Sequence, residues 1–182
     1  MSENNEEPMI KNIATSLTSI SFILFLSHAA LAASPTLNPA QTQQFLQSLV
    51  NTYSGTGHVK TTSGQTTDSD YNFELQVTEE NGVYHFVNDS DTDDLHSTDR
   101  SALALVNGVL YYSNDFIPNT PLVVTDSTTH SLQFHFTQTD GYGRPVTIEY
   151  QYTLSGKVLE LHRTSTLNDV VVSDDDRKGT GF

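Results

Sequence analysis

After Gly55 the chain never again repeats its apolar residues with a helical period. Short runs rich in Val, Thr, Tyr and Phe alternate instead with turn residues. They fall near 55–62, 71–80, 83–88, 102–106, 109–113, 121–126, 131–137, 146–154, 157–165 and 170–173. The connections are too short for parallel crossovers, so successive strands must pair antiparallel, neighbour to neighbour. The expected fold class is all-β: an up-and-down meander of about nine or ten strands that closes into a barrel, with one N-terminal amphipathic helix. A single domain is expected over 33–173.

Turn chemistry sets the register, and the register sets the faces. Asn81-Gly82 is a type I′ hairpin signal that pairs Val77 with Phe86, Thr78 with His85 and Glu79 with Tyr84. Phe73, Leu75, Val77, Tyr84 and Phe86 then share the core face. Asn107-Gly108 pairs Leu105 with Leu110, Ala104 with Tyr111 and Leu103 with Tyr112. The reverse side of that hairpin, Ala104, Val106, Val109 and Tyr111, is also apolar and needs a cover, for which the helix is the natural candidate. Ser155-Gly156, taken as a two-residue turn, sets Tyr152 opposite Leu159, Tyr150 opposite Leu161 and Ile148 opposite Arg163. Along 131–137, Leu132, Phe134 and Phe136 alternate with Gln133 and His135, the pattern of a half-buried strand.

The helix is expected over 38–53. Asn38 stands at the N-cap with Pro39 at the first turn, and Phe45, Leu46, Leu49, Val50 and Tyr53 form one stripe that Gly55 ends. Ahead of it, Ile20 to Leu26 is an apolar core leading to Ala30-Leu31-Ala32, a small-residue cleavage site. Residues 1–32 therefore read as a signal peptide, with Met9 a better start than Met1 because it removes three Glu ahead of Lys11. The apolar core is shorter than the about 20 residues of a membrane span, so no span is expected after processing. Export without cysteine points to a bacterial periplasmic or secreted protein.

The formal charge of −14 argues against nucleic acid and anionic membrane surfaces as partners. Much of it sits in the stretch 88–99 and in Asp174 to Asp176, the latter within an expected flexible acidic tail over 174–182. Asp89, Asp91 and Asp93 occupy positions 1, 3 and 5 of a calcium-loop pattern, so Ca²⁺ is a candidate cofactor. The EF-hand reading itself fails, because Asp94 stands where Gly is needed and Arg100 where a bidentate Glu is needed. His130 and His135 point to opposite faces of one strand, while His85 and His162 fall on outer faces, with Glu149 beside His162 as a surface pair. No nucleophile motif is present in usable form. Without Trp, a carbohydrate cleft is also less favoured. Phe182 ends the chain with an aromatic, but the alternation of an outer-membrane barrel strand does not precede it.

Arg163 is the most informative charge, since it falls on an apolar face beside Tyr150 and Tyr152. A guanidinium with phenols nearby can hold a carboxylate or phosphate head group; a strand-end Arg can equally turn its charge to the rim. The candidate ligand-binding set is Arg163, Tyr150, Tyr152, Tyr112, Phe86 and Phe134, residues that a filled core would also contain.

A helix, then Gly55-Thr56-Gly57, then a long meander resembles the calycin superfamily, which includes lipocalins and fatty-acid-binding proteins. The resemblance covers most of 38–173 and is architectural. The lipocalin G-x-W motif is missing, and Ser165 stands where fatty-acid-binding proteins carry the Tyr of an Arg-x-Tyr pair beginning at a residue placed like Arg163. The resemblance implies a cavity for an apolar or amphipathic small molecule. The expected function is thus non-catalytic binding of a lipid-like molecule outside the cytoplasm. One alternative is a module with a filled core that binds a partner protein; another is a hydrolase or isomerase hosted in the cavity.

Overall fold

The computed structural model describes residues 37–62, 66–92 and 96–182. The expected signal peptide lies outside the described residues. No helix among the described residues is long and apolar enough to cross a membrane.

One helix, α1 (Pro39–Ser48), precedes eleven strands: β1 (Asn51–Thr61), β2 (Thr67–Glu80), β3 (Val83–Asp91), β4 (His96–Val106), β5 (Val109–Asn114), β6 (Thr120–Pro121), β7 (Val123–Ser127), β8 (Ser131–Thr139), β9 (Pro145–Ser155), β10 (Val158–Leu167) and β11 (Val170–Gly181). They form one antiparallel sheet in the order β6-β5-β4-β3-β2-β1-β11-β10-β9-β8-β7. Every neighbour is a sequence neighbour except β1 and β11, whose pairing joins the two ends of the meander. At the two sheet edges, β6 and β7 are separated only by Leu122, whose amide donates to the Leu110 carbonyl at 2.9 Å. The segment 120–127 thus pairs first with β5 and then with β8, and the sheet nearly closes into the expected barrel.

Both Asn-Gly hairpins keep the register expected of them. Asn81 and Gly82 have φ of 54° and 80°, and Asn107 and Gly108 51° and 78°, the left-handed pair that matches the strand twist. The third hairpin differs. Its turn is Gly156-Lys157, with Gly156 at φ 61°, and Ser155 pairs with Val158. Glycine takes the turn position that needs positive φ, and the pairing slides by two residues: Tyr152 faces Leu161, Tyr150 faces Arg163 and Ile148 faces Ser165. A two-residue shift preserves the faces, so Arg163 still points inward with the tyrosines. It does separate Glu149 from His162, which now faces Gln151.

The helix begins as expected, with the Asn38 side chain accepting from the Gln41 amide at 3.2 Å and Pro39 in the first turn. It ends at Ser48 rather than at residue 53, because the chain from Asn51 onward is drawn into pairing with both β2 and β11. Tyr53 is buried in β1 and Val50 is exposed. The helix does not serve as the expected cover for Ala104, Val106, Val109 and Tyr111. Phe45, Leu46 and Leu49, fully buried, join the interior cluster instead. Gln43 donates to the Tyr84 hydroxyl at 2.7 Å and Thr42 bonds Ser127 at 2.5 Å, so α1 lies across the barrel end that carries the three hairpin turns.

The largest correction is the C-terminus. Residues 174–181 are not a flexible tail but most of β11, hydrogen-bonded to β1 on one side and β10 on the other. Contact at this seam is close: a Cβ on Gly55 would stand 1.9 Å from the Lys178 carbonyl oxygen. Gly55 is therefore a seam residue within β1, and not a helix terminator.

Candidate functional site

At the end opposite α1 the barrel opens into a cavity of about 830 Å³. Its depth is lined by Leu75, Phe86, Tyr112, Ile148, Tyr150 and Tyr152, and its rim by residues 115–118, Thr120 and 137–141. Of the six residues expected to contact a ligand, Arg163, Tyr150, Tyr152, Tyr112 and Phe86 line this cavity. Phe134 is fully buried and stacks behind the wall, 5.3 Å from Tyr150 and 6.1 Å from Tyr152 between ring centroids. Tyr150 and Tyr152 lie nearly parallel at 6.0 Å, and Tyr112 stacks on Phe136 at 4.9 Å. These rings meet because β8 and β9 are in register, Phe134 against Tyr150 and Phe136 against Ile148. The result is a stiff aromatic wall.

Three charged side chains face into this interior from β10 and β11. Asp175 is buried; Arg177 grips it with Nη2 at 2.7 Å and Nε at 3.1 Å, and the Tyr71 hydroxyl donates to its other oxygen. Room for the Tyr71 ring exists because residue 57 is glycine: a Cβ there would stand 2.3 Å from the ring. Burial and the Asp175 hydrogen bond push the Tyr71 phenol well above its ordinary value, opposed by Arg177. Burial would lower the Arg177 guanidinium, but its bond to Asp175 and the carboxylate charge outweigh that and hold it firmly protonated. This pair neutralises itself.

Arg163 has no such partner. It stands opposite Tyr150 on β9 and Asp175 on β11, with its guanidinium 5.7 Å from the Tyr150 ring centroid, while its Nε is buried and unbonded. Across the cavity, Asn88 is 5% exposed and neither of its side-chain polar atoms finds a protein partner. The Tyr112 hydroxyl lies 3.4 Å from that of Tyr150 and receives Asn114 Nδ2 at 3.3 Å; burial is the main reason its pKa rises. An uncompensated cation, an unpaired amide and phenols on an apolar wall suit an anionic head group on an apolar body.

The expected calcium set is only partly described. Asp89 accepts from Thr98 Oγ1 and Asp91 lies 2.7 Å from His96 Nδ1, both across the β3–β4 ladder, while Asp93 lies outside the described residues. Sequence reasoning missed Asp175, Arg177, Tyr71 and Asn88. The first two sat in the presumed tail, where no apolar alternation marks a strand, and Asn88 stood where the expected strand 83–88 meets the acidic stretch.

Fold and site together define a nearly closed antiparallel β-barrel with an internal cavity open at one end. No family model matches the chain, and no curated protein matches it. A solved structure, the Mycobacterium avium subs paratuberculosis tesB protein MAP1729c, aligns over 80% of this chain and 87% of its own at 12% identity, with a TM-score of 0.22. So low a TM-score carries no argument about fold or function.

Proposed function

We propose that this chain is an exported, non-catalytic, calycin-like binding protein that holds a lipid-like or amphipathic molecule in its barrel cavity. The observation that carries the reading is Arg163: a guanidinium with a buried, unbonded Nε, facing a cavity of about 830 Å³ with aromatic walls. That volume lies within the range of small-molecule sites, about 300–1,000 Å³. In a chain of charge −14, a free interior cation is also a local reversal of sign that favours an anionic head group. The apolar tail would lie along Tyr150, Tyr152 and Phe86, toward the end that α1 covers.

The test is native mass spectrometry of the full chain purified from its host. A co-purifying amphiphile is expected, and it should be lost in Arg163→Ala while the variant remains folded by circular dichroism. A bare wild-type protein that shows no thermal shift against a panel of fatty acids, phospholipids and isoprenoids would overturn the binding role.

A further inference from the structure

The outer surface of β1, β11 and β10 holds a second constellation. Strand register places His58 opposite Asp176 on one side and His162 opposite Asp176 on the other. Asp174 shares their face, two residues before Asp176 on β11. His162 Nδ1 lies 2.6 Å from Asp176 Oδ1 and 3.5 Å from Asp174 Oδ1. One ligand atom from each of these three residues falls within 4.8 Å of the others.

We propose that His162, Asp174 and Asp176 form a binding site for a divalent transition-metal ion, with Zn²⁺ or Co²⁺ the best fit. Ligand atoms about 2.1 Å from a tetrahedral ion stand roughly 3.4 Å apart. The His162–Asp174 separation of 3.5 Å already matches that edge, and the 2.6 Å contact to Asp176 is a hydrogen bond that an ion would replace by modest opening. Asp174 supplies an independent sign. Its Oδ1 is shielded from solvent and makes no hydrogen bond, its one close contact being the ion-pair approach of His162 Nδ1 at 3.5 Å, while the side chain as a whole is 44% exposed. A carboxylate oxygen that makes no hydrogen bond and faces an imidazole keeps its lone pairs available to a cation.

Chemistry selects the ion. One imidazole with two carboxylates suits zinc-like metals better than Ca²⁺, which prefers six or more oxygens. The strands also hold the ligands in place, since β10 and β11 are each hydrogen-bonded on both sides. His162 and Asp176 line an outer groove of about 580 Å³ together with His58, Gln151 and Glu160, which leaves room for a fourth ligand. This site lies on the opposite face of the sheet from Arg163 and does not depend on the barrel's cargo.

The experiment uses tag-free full-length protein, stripped with chelator and titrated with Zn²⁺ by calorimetry and with Co²⁺ by visible absorption. One ion per chain is expected, with the Co²⁺ spectrum of a tetrahedral site. His162→Ala and Asp176→Asn should each weaken binding by about tenfold or more. His135→Ala, on the outer face of β8, should change nothing. Absence of saturable binding up to millimolar metal overturns the proposal. So does Zn²⁺ affinity unchanged in His162→Ala, or Ca²⁺ binding as tightly as Zn²⁺, because either result would mean that the imidazole is not a ligand.

Discussion

Arg177 and Asp175 show how much one misjudged segment conceals. Read as part of a solvated acidic stretch, they would contribute nothing. In the barrel their side chains are 13% and 7% exposed, and each is the other's counter-charge. Removing one partner strands a buried ion, so Arg177→Met or Asp175→Leu alone should each cost about 3–5 kcal/mol. The double variant, which strands neither charge, should cost less than either single change. Urea unfolding of the four proteins measures the coupling, and strictly additive losses would show that the two side chains do not act as a pair. Arg163, two positions beyond Leu161 on β10, was legible in the sequence because its face follows from hairpin parity alone. Its lack of a partner was not legible, because that depends on Asp175 being taken by Arg177.

Among the elements, the hairpins were legible and the strand that completes the barrel was not. Asn81-Gly82 and Asn107-Gly108 carry their own conformational instruction in left-handed backbone, so their registers follow from local chemistry. The inward positions of β11, by contrast, are Ser173, Asp175, Arg177, Gly179 and Gly181: small or charged, with no apolar alternation to betray a strand. The helix end was misplaced for the converse reason, since Val50 and Tyr53 extend the apolar stripe although the backbone there pairs with β2 and β11. These elements yield a direct test. A chain ending at Ser173 retains almost every strand legible in the sequence, yet it would bare the edges of β1 and β10 and uncover Tyr71 and Phe73. It should lose its cooperative thermal transition and aggregate. A soluble truncation that melts like the full chain would refute the role assigned to β11.

At the scale of the whole molecule, the barrel is a nearly neutral interior inside an acidic shell. Burial pushes the phenols of Tyr53, Tyr71, Tyr84, Tyr112 and Tyr152 above their ordinary value. The unfolded chain releases these protons near pH 10 while the folded chain still holds them, so stability is intact below about pH 10 and falls as the pH rises beyond it. Phenolate absorbance should therefore show a late phase that coincides with loss of tertiary circular dichroism. Free titration of every tyrosine near pH 10 in the folded protein would mean that the interior is open to water. The sequence by itself determined the class of fold, the antiparallel order and the inward faces of the hairpins, because period-two patterning and turn residues act over a few residues. Only the tertiary structure decided that the acidic C-terminus is a barrel strand, that the helix closes an end rather than covering a side, and that Asp174 and Asp176 stand beside His162. Those outcomes rest on pairings between residues remote in sequence, where backbone hydrogen bonds and mutual neutralisation stand in for hydrophobic pattern.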